Sequence, residues 1–152
     1  MNRSEQILLG IKDAKNLYER QLDPLVEGSG LSKLQIDVLL FLYNNPEHDT
    51  AQSVCSLRGL AKSNVSKGVD GLVRRGLLER RTDPDNRRTV RLKLTDKALP
   101  VVREGAACQD KFFRQLLQGI SPAEMETVQR LFSQIHENVR KNLHVTEMGR
   151  RA

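Results

Sequence analysis

At 152 residues, with 38% apolar and 29% charged side chains, the chain is about one domain long and composed like a folded soluble protein. That length leaves no room for a separate catalytic domain. No apolar run approaches the roughly 18 residues of a membrane span, and the opening MNRSEQILLGIKD lacks the apolar core and cleavage site of a signal peptide, so a cytoplasmic location is expected.

The net charge of +6 is unevenly placed. Between Arg58 and Lys93 eleven cations stand against four acids, a surplus of seven that leaves the rest of the chain at minus one. So local a basic footprint suits a polyanionic partner. Aromatic content of 4%, with no Trp, weighs against stacking of single-stranded bases. Cys55 and Cys108 are too few and too far apart for a disulfide framework and fit no zinc template.

The spacing of Ile7, Leu8, Ile11, Ala14, Leu17, Tyr18 and Leu22 predicts a first helix over residues 4–23, ended by Pro24 and the glycines at 28 and 30. Ser32 with Gln35 forms a capping box for a second helix that is apolar nearly all round through Tyr43, hence buried, and stopped at Asn44-Asn45-Pro46. Asp49 or Thr50 caps a short third helix reaching Leu57. Gly59 then makes a turn, with Leu60 buried behind it. A fourth helix covers about 62–75, its apolar face drawn from Val65, Val69, Leu72 and Val73, and Gly76 ends it. From Leu77 the period changes to two. Leu77–Thr82 and Thr89–Thr95, the latter with Val90, Leu92 and Leu94 inward, flank Asp83-Pro84-Asp85-Asn86 as a β-hairpin. A fifth helix reaches about Gln118, with Thr95 as its cap and a stripe of Val101, Gly105, Cys108, Phe112 and Leu116. Pro100 predicts a kink or a later start. Ser121-Pro122-Ala123-Glu124 announces a sixth, striped by Met125, Val128, Leu131 or Phe132, Ile135, Val139 and Leu143.

The centre of this order is a helix-turn-helix followed by a basic hairpin. A major groove about 12 Å wide admits one helix whose exposed side chains reach base edges. Lys62, Ser63, Asn64, Ser66 and Lys67 on the fourth helix combine hydrogen-bonding groups for bases with cations for phosphates. At the hairpin tip Asn86, Arg87 and Arg88 suit a narrow minor groove, with Asp83 or Asp85 orienting the guanidinium groups. A solvated helix face and an ordinary polar turn are the plainer readings of the two sets.

The chain resembles the multiple-antibiotic-resistance regulator (MarR) family of winged-helix proteins. The resemblance spans nearly all of it and is carried by Lys62–Lys67, Val69–Leu72, Arg75–Arg80, the wing Asp83–Arg88 and Val90–Thr95. It implies a homodimer joined through the first and last two helices, repression of a pseudo-palindromic operator, and relief by a small-molecule effector or by oxidation. The ligand pocket it implies lies between the dimer helices and the DNA-binding part, where Tyr18 and Tyr43 are candidate lining residues. Three departures stand out. Ala61 replaces the usual Ser cap, leaving Ser63 as a substitute. Gly68 and Gly71 interrupt the fourth helix, for close backbone approach or for ordering on DNA. Asp96-Lys97-Ala98 and Pro100 follow Thr95 where the family often has an acid, a base and Gly.

The expected fold is mainly α with a small β-hairpin wing: a winged helix-turn-helix over 31–95, flanked by dimerisation helices over 1–30 and 96–152. The stretch 96–118 alone would extend roughly 34 Å, too long for a small monomeric head, which adds to the case for a homodimer with half-sites about one helical turn apart. Cys55 is expected as a small buried thiol behind the fourth helix and Cys108 as a core or dimer contact, with a cysteine-based oxidation sensor as the alternative. His48, His136 and His144 show no metal-ligand spacing, and no nucleophile elbow, phosphate loop or carboxylate pair suggests catalysis. The expected partners are thus double-stranded DNA, a second copy of the chain and an effector, with no cofactor, metal or membrane. A protein-interaction module whose basic face meets an acidic protein is the competing function.

Overall fold

The computed structural model describes residues 2–149, with side chains up to residue 143. It divides into two units, Met1–Leu116 and Leu117–Ala152.

The first unit begins with α1 (Arg3–Ser29), started by an Asn2–Glu5 capping box. The helix does not stop at Pro24 as the sequence suggests. Proline removes one hydrogen bond at a cost of about 3 kcal/mol, but Leu22 and Leu25 on either side are buried, and each contributes roughly 1.5–3 kcal/mol. Tertiary packing carries the helix five residues further. The second helix, α2 (Lys33–Asn44), has the expected Ser32–Gln35 capping box and buries Ile36 and Val38–Leu42. Thr50, rather than Asp49, caps α3 (Ala51–Arg58) through its hydroxyl. Gly59 and Gly76 both sit at positive φ, 64° and 71°, and turn the chain before and after α4 (Lys62–Arg74). Leu60 between them is half-buried rather than fully enclosed.

Beyond Gly76, β1 (Leu78–Thr82) and β2 (Val90–Leu94) pair antiparallel, with Leu78 opposite Leu94 and Thr82 opposite Val90. Only the base of the hairpin enters the core. Leu92 is buried and Leu94 half-buried, whereas Val90, expected inward, is exposed. Pro100 resolves as a later start: a 3-10 turn, Asp96–Ala98, intervenes before α5 (Leu99–Leu116), where Pro100 occupies the second position and no interior bond is lost. Val102, rather than the expected Val101, is the fully buried residue near the start of α5, while Gly105 and Phe112 of the expected stripe are buried on the same face. Thr95 caps nothing with its side chain; its hydroxyl donates to the Gly76 carbonyl at 2.6 Å instead.

Three bare positions let helices approach closely. A Cβ on Gly68 would lie 2.5 Å from Leu34 Cδ2, and one on Gly71 2.6 Å from Gln35 Nε2, so these glycines seat α4 against the start of α2. At Gly105 an added methyl would come within 3.2 Å of three carbons of buried Leu40. Overpacking of this kind costs about 1–3 kcal/mol, against about 1 kcal/mol gained from helix propensity. Gly105→Ala is therefore expected to lose up to about 2 kcal/mol on balance, read as a lower urea midpoint at unchanged slope; a raised midpoint would mean the Leu40 side chain yields freely.

The second unit holds α6 (Pro122–Gly149). Its start follows the sequence closely: the Ser121 N–H donates to Glu124 Oε2 at 2.8 Å, and Pro122 opens the first turn. Leu131, Phe132, Ile135, Val139 and Leu143 are exposed along it.

Candidate nucleic-acid interface

The inner ridge of α4 consists of Val65, Gly68, Val69 and Leu72, all buried. Because that ridge is fixed in the core, 3.6-residue periodicity turns Lys62, Ser63, Asn64, Ser66 and Lys67 outward, where all five are exposed. Among the described residues none of their side chains has a hydrogen-bond or ion-pair partner. Ala61 occupies the cap position and makes no side-chain bond, and Ser63 lies inside the helix rather than substituting as its cap.

The basic segment sorts into engaged and free cations. Arg80 pairs with Asp70, tying β1 to α4. Arg81 pairs with Glu79 at 3.1 Å, and Arg75 donates to backbone carbonyls. Arg91 Nε donates to Asp83 Oδ2 and its Nη1 to Asp49 Oδ1, both at 2.6 Å. Arg58 lies over the Phe41 ring. Lys62, Lys67, Arg74, Arg87, Arg88 and Lys93 have no such partner among the described residues.

Asp83 organises the wing differently from expectation. It is 6% exposed, and its Oδ1 accepts from the Asp85 and Asn86 N–H groups at 2.8 and 3.1 Å while Oδ2 holds Arg91. It thus shapes the tip and, through Arg91, ties it to Asp49 ahead of α3, but it does not orient Arg87 or Arg88. Nor does Asp85, whose carboxylate has no partner among the described residues. Both tip arginines project freely, and Asn86 serves the turn by accepting from the Arg88 N–H at 3.1 Å. The missed residue is Arg91, which alternation alone marks only as outward.

The Asp85 N–H and then the Arg91 guanidinium hold the Asp83 carboxyl below its ordinary value. A depressed carboxylate stabilises the fold above its unfolded pKa, about 3.9, and that contribution is lost as pH falls through the lower folded value. The tip is accordingly expected to stay ordered at pH 5 and open only below about 4. Amide shifts of residues 85–91 followed by NMR would report this, and Asp83→Asn should abolish the transition. Opening at pH 5 or above would contradict it.

Cys55 is half-buried rather than enclosed, on a cleft of about 470 Å³ lined also by Lys62, Ser66, Val69, Arg80 and Leu92. Cys108 is half-buried too, and burial, then the Glu104 carboxylate, push its thiol up, which disfavours the reactive thiolate. Tyr18 is half-buried, its hydroxyl accepting from Gln109 Nε2 at 3.0 Å, while Tyr43 is exposed. Among the described residues no group of three or more His, Cys, Asp or Glu could hold a metal, and no helix is long and apolar enough to cross a membrane. The side chain of His144 lies outside those described.

A winged helix with this order of elements can be compared with known proteins. Residues 29–89, from the end of α1 to the wing tip, match the sequence model of the MarR family. Over that segment the chain is similar to the MarR family. Solved structures agree on the fold along most of the length. A MarR-family transcriptional regulator from Silicibacter pomeroyi is 21% identical, with a TM-score of 0.73 over 85% of this chain and 86% of that one. MepR of S. aureus, crystallised as a DNA complex, is 16% identical with a TM-score of 0.70, covering 91% and 96%. BpsR of Bordetella bronchiseptica, whose DNA binding is regulated by 6-hydroxynicotinic acid, is 19% identical with a TM-score of 0.67, covering 89% and 93%. The winged-helix fold of these structures matches the mainly helical architecture and the two-stranded hairpin seen among the described residues.

Proposed function

We propose that this chain is a homodimeric transcription regulator of the MarR type that binds double-stranded DNA, most simply as a repressor of a pseudo-palindromic operator. In this reading 31–95 is the DNA-binding region and 1–30 and 96–152 supply dimerisation helices. The observation that carries it is the outward face of α4, five polar and basic side chains without internal partners, accompanied by two free arginines at the wing tip. Lys62, Ser63, Asn64, Ser66 and Lys67 enter the major groove, while Asn86, Arg87 and Arg88 follow the backbone into the neighbouring minor groove.

Exposed apolar side chains support dimerisation: Ile7, Leu8 and Ile11 on α1, Phe113 and Leu116 on α5, and Ile135, Val139 and Leu143 on α6. Large unpartnered apolar faces mark interaction sites. The DNA complex of MepR and the regulated DNA binding of BpsR lend support by analogy, the latter to relief by a small effector. A regulator of this kind works in the cytoplasm and needs no catalytic chemistry.

Selection from randomised duplexes tests the reading. An enriched palindrome with half-sites about 10–10.5 base pairs apart is expected. Asn64→Ala should then relax base preference at one position per half-site, at about 1–3 kcal/mol. Enrichment of no sequence, with capture of an acidic protein partner by the same basic face, would replace this function with that of an interaction module.

A further inference from the structure

The two ends of α4 are held very differently. Its start has no side-chain cap. Its end is a junction: the Gly76 and Leu77 N–H groups return to the Val73 and Leu72 carbonyls at 2.9 Å each, and Arg75 then joins two other elements. Its guanidinium donates through Nη1 to the Gly30 carbonyl at 3.0 Å and through Nη2 to the Ser29 carbonyl at 2.7 Å. These are the last carbonyls of α1, a helix with no basic residue in its final turn, so Arg75 supplies the positive charge that the carboxyl end of a helix favours. The backbone carbonyl of the same residue accepts from Lys97 Nζ at 2.9 Å, in the turn that leads into α5. One residue therefore connects α4 to α1 by its side chain and to the approach of α5 by its main chain.

Along α1 the far end is the exposed one, at Ile7, Leu8 and Ile11, while Leu22 and Leu25 near the junction are buried. A helix fixed in the core at one end and free at the other acts as a rigid arm. We propose that Arg75 is a positioning residue that sets the angle of α4 relative to α1, and through it the separation and rotation of the two DNA-reading helices in the dimer. The proposal rests on the homodimeric DNA-binding reading. Arg75 touches no DNA in it; it determines which half-site spacing the dimer accepts. The planar fork of arginine spans two adjacent carbonyls, which the single nitrogen of lysine cannot do.

The test uses the full-length protein and the selected operator, with spacers lengthened or shortened by one base pair, each step rotating one half-site by about 34–36°. The wild type should lose about tenfold or more in affinity on either change, a coupling in the usual range. Arg75→Gln should weaken binding to the native spacing yet flatten the profile to within about threefold, and Arg75→Lys should fall between. Binding to a duplex carrying a lone half-site should not change. Thermal melting of each variant, with the lone half-site as an internal standard, separates misfolding from altered geometry. The proposal is overturned if Arg75→Gln keeps the wild-type spacing profile, or if it lowers all duplexes in parallel. It is also overturned if the lone half-site weakens and the salt slope drops by about one, which would place Arg75 on a phosphate. A wild type with no spacing preference would remove the dimeric DNA-binding reading itself, a result distinct from the others.

Discussion

Replacing both wing-tip arginines, as in Arg87→Ala/Arg88→Ala, is expected to weaken binding to every duplex, by about tenfold for each arginine at low salt. A charge-assisted hydrogen bond contributes about 1.5–3 kcal/mol, and 1.4 kcal/mol corresponds to a factor of ten. Among the described residues neither guanidinium has a partner, so their removal leaves no buried charge behind and little loss of stability should accompany the effect. Because each neutralised phosphate contributes about −0.9 to the slope of log affinity against log salt, the double variant should bind with a slope shallower by about two. Titrations at three ionic strengths would measure both quantities. If the slope stays the same while affinity falls, the arginines shape the wing rather than contact the backbone. If neither changes, they lie outside the interface.

A second large effect is expected in stability. Leu72 is fully buried on the inner ridge of α4, which packs against α2, α3 and β1. Leu72→Ala should cost about 2–5 kcal/mol, a large part of the roughly 5–15 kcal/mol that holds a typical domain together. Urea denaturation should show a lower midpoint at constant slope. In a dimer the midpoint also rises with protein concentration, so the same series measured at two concentrations tests self-association. A loss below about 1 kcal/mol would mean that neighbouring side chains collapse into the space, and that the helix is seated less rigidly than its burial suggests.

Much of this architecture was legible because the signals are local. Ser32 with Gln35, Ser121 with Glu124, and the glycines at 59 and 76 are read from a few consecutive residues, and each forms the cap or turn expected of it. The outward set on α4 follows from period alone once Val65, Val69 and Leu72 are assigned inward. What escaped depends on distant partners. Pro24 continues a helix because Leu22 and Leu25 are buried by packing that no local pattern contains. At the start of α5 Val102 is more fully buried than Val101, while Gly105 and Phe112 keep their expected places. Asp83 finds Arg91 eight residues on and, through it, Asp49, whereas proximity in sequence favoured Arg87 and Arg88. The glycines at 68 and 71 look like weaknesses in a helix until Leu34 and Gln35 are seen against them.

The division of labour on α4 has a practical meaning. Its hydrophobic ridge determines where the helix lies, while the side chains at positions 62, 63, 64, 66 and 67 make no hydrogen bond or ion pair among the described residues. On the proposed DNA-binding reading, target choice can therefore be rewritten independently of foldedness. Libraries varied at those five sites would yield proteins as well formed as the parent, differing in the message they read.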